Sequence, residues 1–128
     1  MVPTDLRYHK EHEWVRVSGK EATLGISDFA QDALGDIVFI ELPKAGTQVT
    51  AGQQIGEVES TKTTSTLYTP VSGRIVRTNP DLKDHPELVN AEPYGKGWMA
   101  VIELTEPNEV EPLMTAAQYE AFLKSQPS

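Results

Sequence analysis

Apolar and polar residues alternate through the first third of the chain. Ala22, Leu24 and Ile26 alternate with Glu21, Thr23 and Gly25, the period-two pattern of a strand with one buried face. The β-forming run Trp14–Val17 precedes it across a Ser18-Gly19 turn. Ser27 then predicts an N-cap for a short helix over Asp28–Leu34, with Asp28 at its positive end and Gly35 as the left-handed residue that stops it. Ile37–Leu42 is short and almost wholly apolar, which predicts a buried strand ended by Pro43. A short extended piece, Thr47–Thr50, lies between two Ala-Gly pairs. Gln54–Glu59 and Thr66–Val71 read as strands separated by the six residues Ser60–Ser65, and Arg74–Thr78 and Trp98–Leu104 complete the set.

Between Asn79 and Gly97 the periodicity lapses. Asn79 before Pro80, and His85 before Pro86, predict capped helical turns within a long excursion. The tail is helical in character: Thr115 and Gln118 have capping-box spacing, and Tyr119, Phe122 and Leu123 form an i, i+3, i+4 stripe. Pro112 divides that region into two short helices. A weak repeat, Gly35-Asp36-Ile37-Val38 and Gly73-Arg74-Ile75-Val76, suggests two similar halves of a small sandwich, with Lys62 at the turn joining them.

Composition narrows the function classes. A length of 128 residues predicts one domain spanning 1–128, with a core at about 14–104 and a helical segment at about 107–125. Nine glycines and nine prolines favour many turns, hence a mainly β fold. The absence of cysteine removes disulfides, thiol nucleophiles and iron–sulfur ligands. A net charge of −8 opposes nucleic acid and anionic membrane as partners. No apolar run nears the ~20 residues of a membrane span, and Met1–Lys10 has no signal-type stretch, so a cytoplasmic, monomeric protein is expected.

Catalytic motifs are missing: no nucleophile elbow, P-loop, dinucleotide fingerprint or His-Glu-x-x-His is present. His9, Glu11, His12 and Glu13 cluster, but no third ligand follows, so no metal site is expected and a solvated segment feeding a strand is the simpler reading. The acidic tail, with Glu103, Glu106, Glu109, Glu111 and Glu120, reads as a solvated face or a docking surface for a basic partner. The most unusual stretch is Glu57–Thr66, in which Lys62 stands alone among small hydroxylated residues at a strand–strand turn. Schiff-base chemistry requires a desolvated amine, which a turn tip does not offer. An open amine suits either modification by another enzyme or plain surface solvation.

Motifs along nearly the whole chain choose between these. The sequence resembles the glycine cleavage system H proteins in Tyr8, His12-Glu13-Trp14-Val15, Gly25-Ile26-Ser27, Leu34–Phe39 with Leu42-Pro43, and Gly56-Glu57-Val58-Glu59-Ser60-x-Lys62. The resemblance continues through Leu67-Tyr68-x-Pro70-Val71-Ser72-Gly73, Pro86–Asn90, Pro93-Tyr94-Gly95-x-Gly97-Trp98 and Tyr119. It implies a lipoyl/biotinyl-type β-sandwich (a barrel-sandwich hybrid) with short helices and a C-terminal helical segment. It further implies a non-catalytic carrier with lipoate in amide linkage on Lys62. The arm would take an aminomethyl group from a pyridoxal-phosphate glycine decarboxylase to a tetrahydrofolate-dependent aminomethyltransferase. Dihydrolipoyl dehydrogenase would reoxidise its dithiol, and lipoate-attaching enzymes would load it.

The resemblance implies arm recognition or sheltering by Glu59, Glu13 and the residue at the position of Thr66, and this sequence adds Glu11 where the family often has a small residue. Thr66 replaces an acid common in the family, Thr63-Thr64 replaces small apolar residues, and Arg74 and Arg77 stand where acids are frequent. Other readings remain open. An H-like relay could deliver lipoate to other enzymes. A lipoyl domain of a 2-oxoacid dehydrogenase would favour an Asp-Lys-Ala turn, and a biotin carrier a Met-Lys-Met turn, where this chain has Thr-Lys-Thr. A plain interaction module would leave Lys62 bare.

Overall fold

The computed structural model describes residues 3–125. Nine strands form among these residues: β1 (Arg7–Tyr8), β2 (Glu13–Ser18), β3 (Glu21–Ile26), β4 (Ile37–Glu41), β5 (Gln48–Val49), β6 (Gln54–Ser60), β7 (Thr64–Tyr68), β8 (Gly73–Thr78) and β9 (Ala100–Leu104). Helices α1 (Asp28–Leu34), α2 (Leu88–Ala91) and α3 (Ala116–Ser125) join two 3-10 turns at Pro80–Leu82 and Pro107–Val110. Six strands make one sheet in the order β1-β2-β3-β9-β8-β5, and three make a second in the order β4-β6-β7. The molecule is therefore a mainly β fold of two sheets with a C-terminal helix.

Alternation explains the pairing. Ala22 and Leu24 turn inward and pack with Val15, Val71, Ile75 and Ile102 on the inner face of the six-stranded sheet. Val58, Leu67 and Ile37 do the same on the three-stranded sheet, joined by Leu82, Val89 and Met99 from the excursion. Ile55 touches both clusters and so links the layers. A third cluster, Leu6, Tyr8, Trp14, Ala116 and Tyr119, docks α3 against β1 and β2. Burying such apolar surface contributes about 25 cal/mol per Å² and is what holds the layers together.

The caps form largely as expected. The Ser27 hydroxyl accepts from Ala30 N at 3.2 Å, and Thr115 and Gln118 exchange both capping-box bonds. Asn79 accepts from Asp81 N at 3.1 Å and donates to the carbonyls of Lys96 and Trp98, closing the neck of the 79–98 excursion. The two copies of the repeat lie in opposite sheets, β4 pairing with β6 and β8 with β9.

Several details differ from the sequence expectation. Ile37–Leu42 is not a buried strand: β4 is an edge strand, with a bulge between Ile37 and Phe39 that leaves Val38 and Phe39 each 52 % exposed. Gly35 does take positive φ (+83°), but with ψ −155° it lies outside the left-handed helical well, in a region open to glycine alone. β7 begins at Thr64, because the β-branched and hydroxylated residues of that segment continue the ladder opposite Glu59. Trp98 and Met99 precede β9 and do not belong to it. His85 caps nothing with its side chain, which faces Glu87 at 3.1 Å, and α2 has no side-chain cap.

Candidate functional site

Strands β6 and β7 form a hairpin whose register, Glu57↔Thr66, Val58↔Ser65 and Glu59↔Thr64, carries it to a tip of three residues, Thr61-Lys62-Thr63. Ser60 organises that tip. Its hydroxyl accepts from Lys62 N and Thr63 N, both at 3.1 Å, and its own N–H donates to Thr63 O at 2.8 Å. With the turn's N–H groups satisfied locally, the exposed Lys62 side chain is free of structural duty.

A platform lies beneath the tip. Thr61 N donates to Asp36 O at 3.0 Å, which fastens the turn to the α1–β4 corner. There Gly35 lies against the Lys62 stem: a Cβ at position 35 would stand 2.9 Å from the Lys62 Cε. Asn90, at the end of α2, braces this corner. Its Oδ1 accepts from Ile37 N, and its Nδ2 donates to Gly35 O and to Gln31 Oε1, each at 2.9 Å. Every part of one amide is thus used to hold the surface on which the lysine rests. The residues alone did not reveal Asn90; the signal available was an asparagine closing the apolar run Leu88-Val89.

The other matched residues fall in two groups. Glu59 is exposed, opposite Phe39 and Thr64, and Thr66 is half-buried on the same face two residues along β7. Glu13 lies elsewhere, 1 % exposed. Its Oε2 accepts from Tyr68 N at 3.1 Å, and its Oε1 pairs with His9 Nδ1 at 2.8 Å. It therefore closes the free edge of β7 at the end away from Lys62, about 13 Å along the strand from Thr64. Burial pushes its carboxyl pKa up, against the opposing effects of His9 and the Tyr68 N–H. Glu11 is exposed on the β1–β2 turn.

The segment around Glu13 is not a solvated lead-in, as its charge suggested. His12, at φ +73°, presents Nδ1 to the buried Tyr119 hydroxyl at 2.7 Å, which also meets Ser27 Oγ at 2.7 Å. Burial lowers the His12 pKa and raises that of Tyr119 to about 12. These side chains are spent on joining α3, β2 and the start of α1. Among the described residues, no three His, Cys, Asp or Glu side chains gather as metal ligands. The arrangement presents an accessible amine at a rigid tip, with a bare glycine surface under its stem, and that geometry fits an acyl group on Nζ.

Comparison with known proteins gives a consistent result. Residues 6–126 match the family model described as glycine cleavage H-protein. The chain is 57 % identical over 121 residues to a glycine cleavage system H protein of Geobacillus thermodenitrificans, covering 94 % of this chain and 95 % of that one. It is 55 % identical over 119 residues to the Bacillus subtilis protein of the same name, covering 93 % and 94 %. A crystal structure of a glycine cleavage system H protein from Mycobacterium marinum superposes with a TM-score of 0.89 at 39 % identity, over 96 % of this chain and 99 % of that one.

Proposed function

Since the chain belongs to the glycine cleavage H-protein family, whose members carry lipoate, we propose that Lys62 is its lipoyl-bearing residue and that the lipoylated chain shuttles the aminomethyl group of glycine. The observation that supports this most directly is the exposed Lys62 at a turn held by Ser60 and Asp36, with its stem over Gly35. Loading forms an amide: Nζ bonds to the carboxyl carbon of lipoate, the group activating that carboxyl leaves, and an N–H proton is released. When bound, the group supplies a dithiolane that accepts and passes on the aminomethyl unit. The chain brings no thiol of its own to compete with those sulfurs by exchange.

The protein's part is presentation. Ser60 and the Asp36 carbonyl hold the turn, so that the lysine reaches out from a fixed base. Glu59 and Thr66 line the outer face leading to it. Glu13 is the proposed acceptor for a cationic amine, since each of its oxygens keeps a second lone pair beside its present partner, with Glu11 adding negative charge nearby. The partners are the enzymes of the glycine cleavage system: the pyridoxal-phosphate decarboxylase, the tetrahydrofolate-dependent aminomethyltransferase and dihydrolipoyl dehydrogenase, together with a lipoate-attaching enzyme. The proposed carrier is a single-domain, monomeric, cytoplasmic protein. Among the described residues no helix is long and apolar enough to cross a membrane.

Intact-mass spectrometry after incubation with a lipoate ligase, ATP and lipoate tests the attachment. A single lipoyl increment on the wild type and none on Lys62→Arg is expected; an unchanged wild-type mass with an active ligase would falsify it. Glycine-dependent release of carbon dioxide, reconstituted with the lipoylated chain, then separates a glycine carrier from a lipoyl relay, which would show none.

A further inference from the structure

The structure carries one exposed apolar feature that the carrier reading does not use. Val38 and Phe39 are each 52 % exposed on β4, the edge strand of the three-stranded sheet. A bulge between Ile37 and Phe39 leaves the two neighbouring side chains exposed together, where strict alternation would have turned one inward. Beside them a cavity of about 440 Å³ runs along the strand, lined by Phe39, Ile40, Leu42, Pro80 and Leu82. Edge strands are normally blunted by charge or proline, so two large apolar residues here point to a partner.

Carboxylates prevail around this patch, with Lys83 the cation that lines the cavity beside it. Asp36, Glu41 and Glu59 are exposed, and Glu57 is half-buried. Glu41 stands directly opposite Glu57, and Phe39 opposite Glu59. Facing carboxylates cost stability in a sheet, and among the described residues no cation lies within salt-bridge distance of these four. An apolar centre with an acidic rim complements an apolar pocket with a basic rim.

We infer that the Val38–Phe39 face is the docking surface for the enzyme that attaches lipoate to Lys62, an inference that rests on the attachment proposed above. Glu59, the cross-strand partner of Phe39, is about 10 Å along the hairpin from Lys62. A partner footprint of ordinary size, about 800 Å² or roughly 16 Å in radius, centred on the lysine therefore reaches this patch. The commitment to the attaching enzyme follows from what that enzyme meets. Downstream enzymes can grip a loaded arm, whereas before attachment the tip offers a bare amine between Thr61 and Thr63. Its binding energy has to come from protein surface, and an exposed aromatic is the usual anchor.

The test is steady-state lipoylation of the unmodified full chain by a lipoate ligase, followed by intact mass, with the Kd of the chain–ligase complex measured separately. Phe39→Ser is expected to raise both KM and Kd by about tenfold or more with little change in kcat. Val17→Ser, which removes a 43 % exposed apolar residue from β2, is expected to leave both unchanged. Raising ionic strength should weaken wild-type binding, and Glu41→Gln should flatten that dependence. If Phe39→Ser loses its cooperative unfolding transition, Val38→Ser and Glu41→Gln provide the same readings. A lipoylated wild type whose KM and Kd are untouched by these changes overturns the docking surface and leaves Lys62 as the attachment site. A wild type that gains no mass overturns both.

Discussion

The Lys62 side chain lies across Gly35, so close that a Cβ at position 35 would stand 2.9 Å from its Cε. Two costs meet at that residue. The lysine end is flexible and can swing aside, whereas φ +83° with ψ −155° is backbone that an L side chain resists. Gly35→Ala should therefore lose about 1–3 kcal/mol of stability, mostly as backbone strain. Urea unfolding would measure this, and lipoylation of the residual folded protein should slow because the stem has lost its resting place.

Asn90 offers a complementary experiment at the same corner. Replacing it with Leu leaves Ile37 N–H and Gly35 C=O without their partner, and a buried polar group left unsatisfied costs about 1–3 kcal/mol. Lys62→Arg, by contrast, should change stability by no more than about 0.5 kcal/mol, because the residue is exposed and holds nothing together. Denaturant midpoints of the two variants should differ accordingly; equal midpoints would mean that the corner is not braced by Asn90.

Glu13 gives the pH dependence a definite sign. Burial raises its pKa, so between the unfolded and folded values the native state holds the extra proton. Its favourable contribution is complete below the unfolded pKa and is lost as pH rises through the folded one. Glu13→Gln should then lose less stability than wild type as pH rises from the ordinary carboxylate range, about pH 4, through the raised folded value. His12 acts oppositely: its pKa is lowered, so its contribution is present above the unfolded imidazole value and is lost as pH falls. Thermal unfolding of Glu13→Gln and of His12→Gln against wild type, across the carboxylate and imidazole ranges, would separate the two signs.

Tyr119 ties the C-terminal helix to the rest of the fold. Tyr119→Phe keeps the ring, stacked on Tyr8 with centroids 4.6 Å apart, but removes the hydroxyl shared by His12 and Ser27. A loss of about 1–3 kcal/mol is expected, with the lipoylation rate of folded protein unchanged. Hydrogen exchange should show α3 opening first. A lowered lipoylation rate in fully folded protein would connect this network to the tip, contrary to its position.

Much of this was legible in the residues. A run of β-forming residues placed β2, period-two alternation placed β3, and hydroxyl and amide caps placed α1 and α3, because those signals are local and their partners lie within a few positions. Ile37–Leu42 misled because a continuous apolar run does not say which side chains a bulge will turn outward. The His9–Glu13 segment misled for the opposite reason. Its charges are buried by partners 55 and 107 residues away, Tyr68 and Tyr119, which no local pattern announces. Lys62 stood out by its small neighbours, but Asn90, 28 positions further on, reaches the same corner only through the fold.

That reach depends on a loop with a closed neck. Asn79 ties the start of the 79–98 excursion to its end, while β8 and β9, on either side, pair as any antiparallel neighbours would. The brace on the corner under the lysine is thus delivered by an elaborated hairpin connection, not by the sheets. A chain with a tight turn in its place would keep both sheets and lose the Asn90 brace. In this molecule, how firmly the arm's base is held is a property of a loop, and it can change in evolution while the strands stay as they are.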